Sequence, residues 1–212
     1  MAFACGVSRH FFARSERVKA VALHPREPLV ASAQYDGRLK VHNYFSLQLV
    51  AALDVSALPL RAAAFLAPRD WLLCAGDDCA LRAFSLHSQQ KVAELLNAHK
   101  DYIRHLAVHA HKPLVLSSSD DMTIKLWDVE DGWTRLCSFE SHAHYVMQSV
   151  WSPRDPTIFA SCSLDRSIKV WGIGPIGSGA KTAANGPPAV VTSAHFSLLG
   201  HERGVNTIAY ST

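Results

Sequence analysis

Apolar and polar positions alternate along this chain in short runs, and one run keeps returning. Its sharpest copy is Ser117-Ser118-Ser119-Asp120-Asp121-Met122-Thr123-Ile124-Lys125-Leu126-Trp127-Asp128, a strand, a tight acidic turn, and a second strand ending on an aromatic residue. Imperfect copies run from Ala31 to His42, from Cys74 to Phe84 and from Ser161 to Trp171. The turn aspartates, Asp36, Asp78, Asp121 and Asp165, are spaced 42, 43 and 44 residues apart. A repeat of that length built on strand pairs predicts the blades of a β-propeller.

The third repeat shows the internal order best. Strands are predicted over Tyr102–Val108, Leu114–Ser119, Met122–Asp128 and Thr134–Phe139, with turns at His111-Lys112-Pro113 and Glu130-Asp131-Gly132. Four short antiparallel strands make one blade. Equivalent first strands are expected to begin at Val18, Leu60, Ile103, Val146 and Val205. The reading is therefore all-β: four blades, at about 14–56, 57–97, 98–140 and 141–199, and the first strand of a fifth from about 200–212. A chain stopping inside a fifth unit reads as a fragment, whose open strand edges predict poor solubility on its own. From about 172–194 the composition turns to Gly, Pro, Ala and Ser, which predicts a flexible loop between the third and fourth strands of blade four.

Composition adds bounds. A hydrophobic fraction of 49% with 18% charged residues is that of a folded domain, and a net charge of +3 gives no argument for nucleic acid. The five cysteines are scattered with no CxxC pair, which favours a reducing compartment over a disulfide framework or zinc site. No apolar run is long enough to span a bilayer, so a cytosolic protein reaching membranes only through partners is expected.

Several motifs invite chemistry. Gly172 to Gly177 spells GxGxxG after a strand, but Pro175 and the composition beyond it leave no helix to hold a pyrophosphate. Gly174 to Thr182 nearly spells a phosphate-binding loop, with Ala180 spoiling the spacing. His109-Ala110-His111 and His142-Ala143-His144 place histidines two apart on strands, yet no cysteine or carboxylate stands at ligand spacing beside them. No metal or cofactor is expected. His99, Ser117 and Asp121 could form a hydrolytic triad, but the set recurs as His142, Ser161 and Asp165, each time with a tryptophan, Trp127 or Trp171. An active site is not built once per repeat. A buried network that pins the loop and turn of each blade is the expectation, and the protein is read as a non-enzyme.

Stacking the repeats on their first strands exposes a further pattern. The residue after the strand-opening position is Lys19, Arg61, Arg104 and then Met147, and the residue before the turn aspartate is Tyr35, Asp77, Asp120 and Leu164. Glu16 and Asp101 lie two before the opening, with Arg17, Tyr102 and Tyr145 one before it. Equivalent positions of a propeller ring its axis, so cations in early blades are followed by acids in later ones. Such a mouth suits a ligand of both signs: an anionic group over Arg17, Lys19 and Arg61, a cationic one near Asp101 and Asp120, and tyrosine faces flanking an aliphatic stem. A C-terminal carboxylate with a lysine a few residues upstream fits, the two lying about 10 Å apart at roughly 3.3 Å per extended residue.

Taken together, Arg14 to Lys19, His24 to Pro28, Leu60 to Ala63, Ala98 to Arg104, Ser118 to Asp121, Tyr145-Val146-Met147-Gln148 and Ser163 to Arg166 resemble the N-terminal WD-repeat propeller of the coatomer beta-prime family. The resemblance covers nearly the whole chain from about Phe11, apart from the loop after Gly172. His42 and Phe84 depart from it, standing where a blade usually has Trp. The resemblance implies a seven-bladed ring of the COPI vesicle coat that recognises cytosolic dilysine tails of membrane cargo for Golgi-to-ER retrieval. The tail carboxylate would meet Arg17, Lys19 and Arg61, and the lysine Asp101 and Asp120, with Tyr35 and Arg104 nearby. Partners would be the alpha and epsilon coatomer subunits, and the location the cytoplasm, peripheral on Golgi membranes and COPI vesicles. The rival in the same class is another WD-repeat scaffold, such as a ubiquitin-ligase substrate receptor.

Overall fold

A computed structural model describes residues 17–174 and 188–211. Blade one comprises β1 (Val18–Leu23), β2 (Leu29–Gln34), β3 (Arg38–Asn43) and β4 (Leu49–Asp54), paired in that order. Blade two comprises β5 (Leu60–Leu66), β6 (Trp71–Gly76), β7 (Leu81–Ser85) and β8 (Lys91–Leu95), and blade three β9 (Ile103–Val108), β10 (Leu114–Ser119), β11 (Ile124–Asp128) and β12 (Thr134–Phe139). Blade four comprises β13 (Val146–Trp151), β14 (Ile158–Ser163) and β15 (Ile168–Gly172), with β17 (Phe196–Leu198) as its outer strand. The first strands start at the residues expected from sequence in all four blades. Neighbouring strands of each meander pair antiparallel and are joined by short connections, except that a long segment separates β15 from β17.

The second strands explain why blades form a stack. β2 and β10 are buried at every residue; each lies between two strands of its own blade, and β10 is covered by blade two on one face and by blade four on the other. One apolar seam joins blades one and two, through Ala31, Leu39, Val41, Phe65, Leu72 and Phe84. A second joins blades two and three through Leu73, Leu81, Ile103, Val115 and Trp127, and a third joins blades three and four through Leu116, Leu126, Phe139, Phe159 and Trp171. At about 25 cal/mol per Å2 of apolar surface buried, such seams supply the main force that holds blade to blade. The first strands β1, β5, β9 and β13 lie side by side in that order, and so line the inner side of the arc.

Two expectations change. The segment 172–194 is not loop throughout: Gly172 ends β15, and β16 (Ala189–Val191) pairs in parallel with β12, adding a fifth strand to blade three. The Glu140 amide donates to the Val191 carbonyl at 2.8 Å, which continues that pairing past β12. An outer strand carries a row of unpaired backbone groups, and an extended segment returning from blade four satisfies them. Residues 175–187, with half of the GxGxxG stretch and most of the near-P-loop stretch, lie outside the described residues. The stretch 200–211 holds no strand. Val205 donates its amide to the Ser163 carbonyl at 2.9 Å, and Thr207 Oγ1 and the Ile208 amide both donate to Gln148 Oε1 at 2.8 Å.

Candidate functional site

The same irregularity occurs at the start of all four inner strands. Pairing of the first strand with the second skips one residue between Val18 and Ala20, between Leu60 and Ala62, between Ile103 and His105, and between Val146 and Gln148. Lys19, Arg61, Arg104 and Met147 are the bulged residues. A bulge turns its side chain away from the regular alternation, and four equivalent bulges aim four side chains to the same end of the arc. One backbone bond is also repeated four times there. The amides of Tyr35, Asp77, Asp120 and Leu164 donate to the carbonyls of Arg17, Pro59, Tyr102 and Tyr145 at 2.9, 2.9, 2.9 and 3.0 Å. It ties the residue before each turn aspartate to the residue before each inner strand.

The side chains brought together in this way form a charged and aromatic relay. Arg61 forks onto Asp77, with Nη2 donating to Oδ2 at 2.8 Å and Nε donating to Oδ1. Arg104 does the same to Asp120, through Nε to Oδ1 at 2.7 Å and through Nη2 to Oδ2. Paired parallel bonds of this kind fix the plane of the guanidinium as well as its position. On its other side each guanidinium meets the ring that opens the next blade: Arg61 lies 5.2 Å from the Tyr102 centroid and Arg104 5.9 Å from that of Tyr145. Within blade one, Arg17 lies 5.4 Å from the Tyr35 ring. The hydrogen bond to Asp120 raises the Arg104 pKa still further above its ordinary value, so its charge is permanent.

Placement differs among the residues singled out from sequence. Arg17, Lys19, Tyr35 and Tyr102 are exposed, Arg61, Asp101 and Arg104 are half-buried, and Asp120 is buried beneath its arginine. Asp101 Oδ1 accepts the Tyr102 amide at 2.7 Å, and its carbonyl accepts the Ser119 hydroxyl at 3.1 Å. Glu16 lies outside the described residues. Asp77 and Tyr145 join the array although the sequence reading assigned neither a ligand-binding role. A signal was present: the arginine and acid are 16 residues apart in both pairs.

The other candidate cluster is built differently. In blade three the Trp127 indole N–H donates to Ser117 Oγ at 2.8 Å, Ser117 Oγ and His99 Nε2 are 2.6 Å apart, and His99 Nδ1 and Asp121 Oδ2 are 2.8 Å apart. Burial holds the His99 pKa down despite the opposing pull of Asp121, so the imidazole is neutral, with Nδ1–H donating to the carboxylate and Nε2 accepting the serine hydroxyl. Burial works to raise the Asp121 carboxyl, but bonds from His99, the Lys100 amide and Thr123 outweigh it and hold the group well below the usual carboxylate range. Blade four repeats the geometry: Trp171 to Ser161 at 2.8 Å, Ser161 to His142 at 2.7 Å, and His142 to Asp165 at 2.7 Å. Both serines are fully buried, and an indole donor occupies each hydroxyl oxygen. That closes off attack on a substrate while tying four segments of the blade together.

Blades one and two lack the set. Ser56 and Phe84 stand where blade three has His99 and Trp127, and Asp78 is instead paired with Arg82 at 2.6 Å. The histidines weighed for metal have other partners: His109 Nδ1 accepts the His111 and Lys112 amides at 3.0 and 2.9 Å, and His144 Nδ1 accepts the Tyr145 amide at 2.8 Å. Among the described residues no cluster of three His, Cys, Asp or Glu side chains has metal-binding geometry.

The WD domain, G-beta repeat, matches residues 6–43, 89–128 and 133–172. Blade two, where the serine and tryptophan of the network are replaced by Cys74 and Phe84, falls largely outside those matches. The chain is 43% identical over 204 residues to coatomer subunit beta' of Mus musculus and of Homo sapiens, covering 96% of this chain and 21% of theirs. It is 40% identical over 206 residues to putative coatomer subunit beta'-3 of Oryza sativa subsp. japonica, covering 97% and 21%. The chain thus spans about a fifth of the length of the relatives it matches. With its blade order, its repeated His–Ser–Asp–Trp network and matches over more than half its length, the chain belongs to the WD-repeat family.

Proposed function

We propose that this chain is the cargo-recognition face of a COPI-type coat, binding C-terminal dilysine tails of membrane proteins for Golgi-to-ER retrieval. The observation that supports the reading is the bulge repeated in blades one to three, which aims Lys19, Arg61 and Arg104 toward one end of the arc, with Asp77 and Asp120 forked onto the two arginines. The tail carboxylate lies over Arg17, Lys19 and Arg61. Asp77 takes Nε and Nη2 of Arg61, leaving Nη1 for the ligand. The lysine ammonium meets Asp101 at the surface, while buried Asp120 adds its charge from below and gives up part of its pairing with Arg104. Tyr35 and Tyr102 flank the aliphatic stem. Other coatomer subunits, alpha and epsilon, would bring this face to the membrane from the cytoplasm; no helix among the described residues is long and apolar enough to cross one.

The deciding experiment titrates dilysine tail peptides into the protein, with the C-terminus free or amidated. Binding that requires the free carboxylate, and that weakens when the lysine is replaced by alanine, is the expected result. Equal affinity for the two forms would sink the proposal.

A further inference from the structure

The charged array stops at blade four. At the bulged position Met147 follows Lys19, Arg61 and Arg104, and before the turn aspartate Leu164 follows Asp77 and Asp120. Both residues are half-buried, and Tyr145 beside them is 37% exposed, so the change to apolar chemistry is open to solvent. It directly adjoins the acid seat: the Arg104 guanidinium that forks onto Asp120 lies against the Tyr145 ring, and the Tyr145 carbonyl accepts the Leu164 amide. Gly204 packs against Leu164 so closely that a Cβ there would lie 2.7 Å from Leu164 Cδ2, which anchors this residue in place.

We infer that Tyr145, Met147 and Leu164 form an apolar step that takes an uncharged side chain from the residues immediately upstream of the tail's lysine. The inference rests on the mouth being a C-terminal tail site. With the carboxylate over blades one and two and the lysine at blade three, the order of the blades delivers the upstream residues to blade four. Against Met147 and Leu164 an apolar side chain gains from burial, whereas an acidic one loses water there and regains a partner only by leaving the step for the Arg104 guanidinium beside Tyr145.

The test is a peptide series keeping the lysine and the free C-terminus while placing Leu, Ser or Asp at each of the two positions upstream of the lysine. At one of them Leu is expected to bind about tenfold more tightly than Asp, the worth of one partly buried side chain. Met147→Gln should bring that ratio near one while leaving the need for lysine and free carboxylate intact, and Leu164→Gln provides a second reading should the first variant unfold. A flat series in the unsubstituted protein, or a ratio untouched by either variant, overturns the apolar step. If amidated and lysine-free peptides bind as well as the parent peptide, the tail reading fails and the step falls with it, a result distinguishable by those two controls.

Discussion

Arg61 is held between two blades: Asp77 of its own blade forks onto its Nε and Nη2, and the Tyr102 ring that opens the next blade lies 5.2 Å from its guanidinium carbon. The pair is largely out of water, with side-chain exposures of 15% for Arg61 and 9% for Asp77. Truncating one partner therefore leaves the other buried without compensation.

Stability and binding should separate at this pair. Arg61→Ala is expected to weaken tail binding by about 2 kcal/mol or more and to lower folding stability by about 2 kcal/mol, since Asp77 is left unpaired. The double variant Arg61→Ala with Asp77→Ala should recover most of the stability and none of the binding. Denaturant unfolding and peptide titration on the same three proteins check this; binding restored in the double variant would remove Arg61 from the site.

Ser117 is the node of the blade-three network, accepting from Trp127 and donating to His99. Ser117→Ala should cost about 1–3 kcal/mol, because two buried groups lose their partner together. Ser161→Ala should cost a similar amount in blade four. The unfolding midpoint measures both, and an unchanged midpoint would show the networks to be dispensable.

His105 gives a pH dependence. Its Nδ1 is sealed from solvent without a hydrogen-bond partner among the described residues, and burial holds its pKa down to about 4. The folded state thus resists a proton that the unfolded chain accepts near pH 6.5, so stability is complete above that pH and falls as the pH drops towards 4. Between the ordinary value of 6.5 and about 4 the full loss is on the order of 3 kcal/mol. His99 and His142, also held down by burial, add to the loss in the same direction. Unfolding midpoints between pH 7 and 4 should fall less steeply in His105→Gln than in the parent protein.

The parallel strand β16 predicts a local change rather than a global one. Deleting residues 189–191 removes the carbonyl that accepts the Glu140 amide. Hydrogen exchange at Glu140 should quicken by an order of magnitude or more, with β9 and β10 unaffected. Unchanged exchange at Glu140 would mean that β16 contributes nothing to the edge of blade three.

Much of the architecture was legible because it is local and repeated. The alternation of apolar residues, the turn residues and the recurring aspartate locate the inner strands to the residue, since each depends on a few neighbours in the chain. The return of Ala189–Val191 to blade three was not legible, for three apolar residues after a Gly- and Pro-rich stretch do not say which edge they will meet.

The sequence by itself determined that Lys19, Arg61, Arg104 and Met147 occupy equivalent positions, and that His99, Ser117, Asp121 and Trp127 form a set copied in the next blade. Only the tertiary structure decided what those positions do. Bulges at the inner strands turned equivalence into a shared direction, the spacing of 16 residues became an ion pair because antiparallel pairing folds it back on itself, and blade-to-blade packing set each arginine against a tyrosine from the following repeat. Such contacts join residues remote in sequence, and a one-dimensional pattern carries no record of the twist that brings neighbouring blades together.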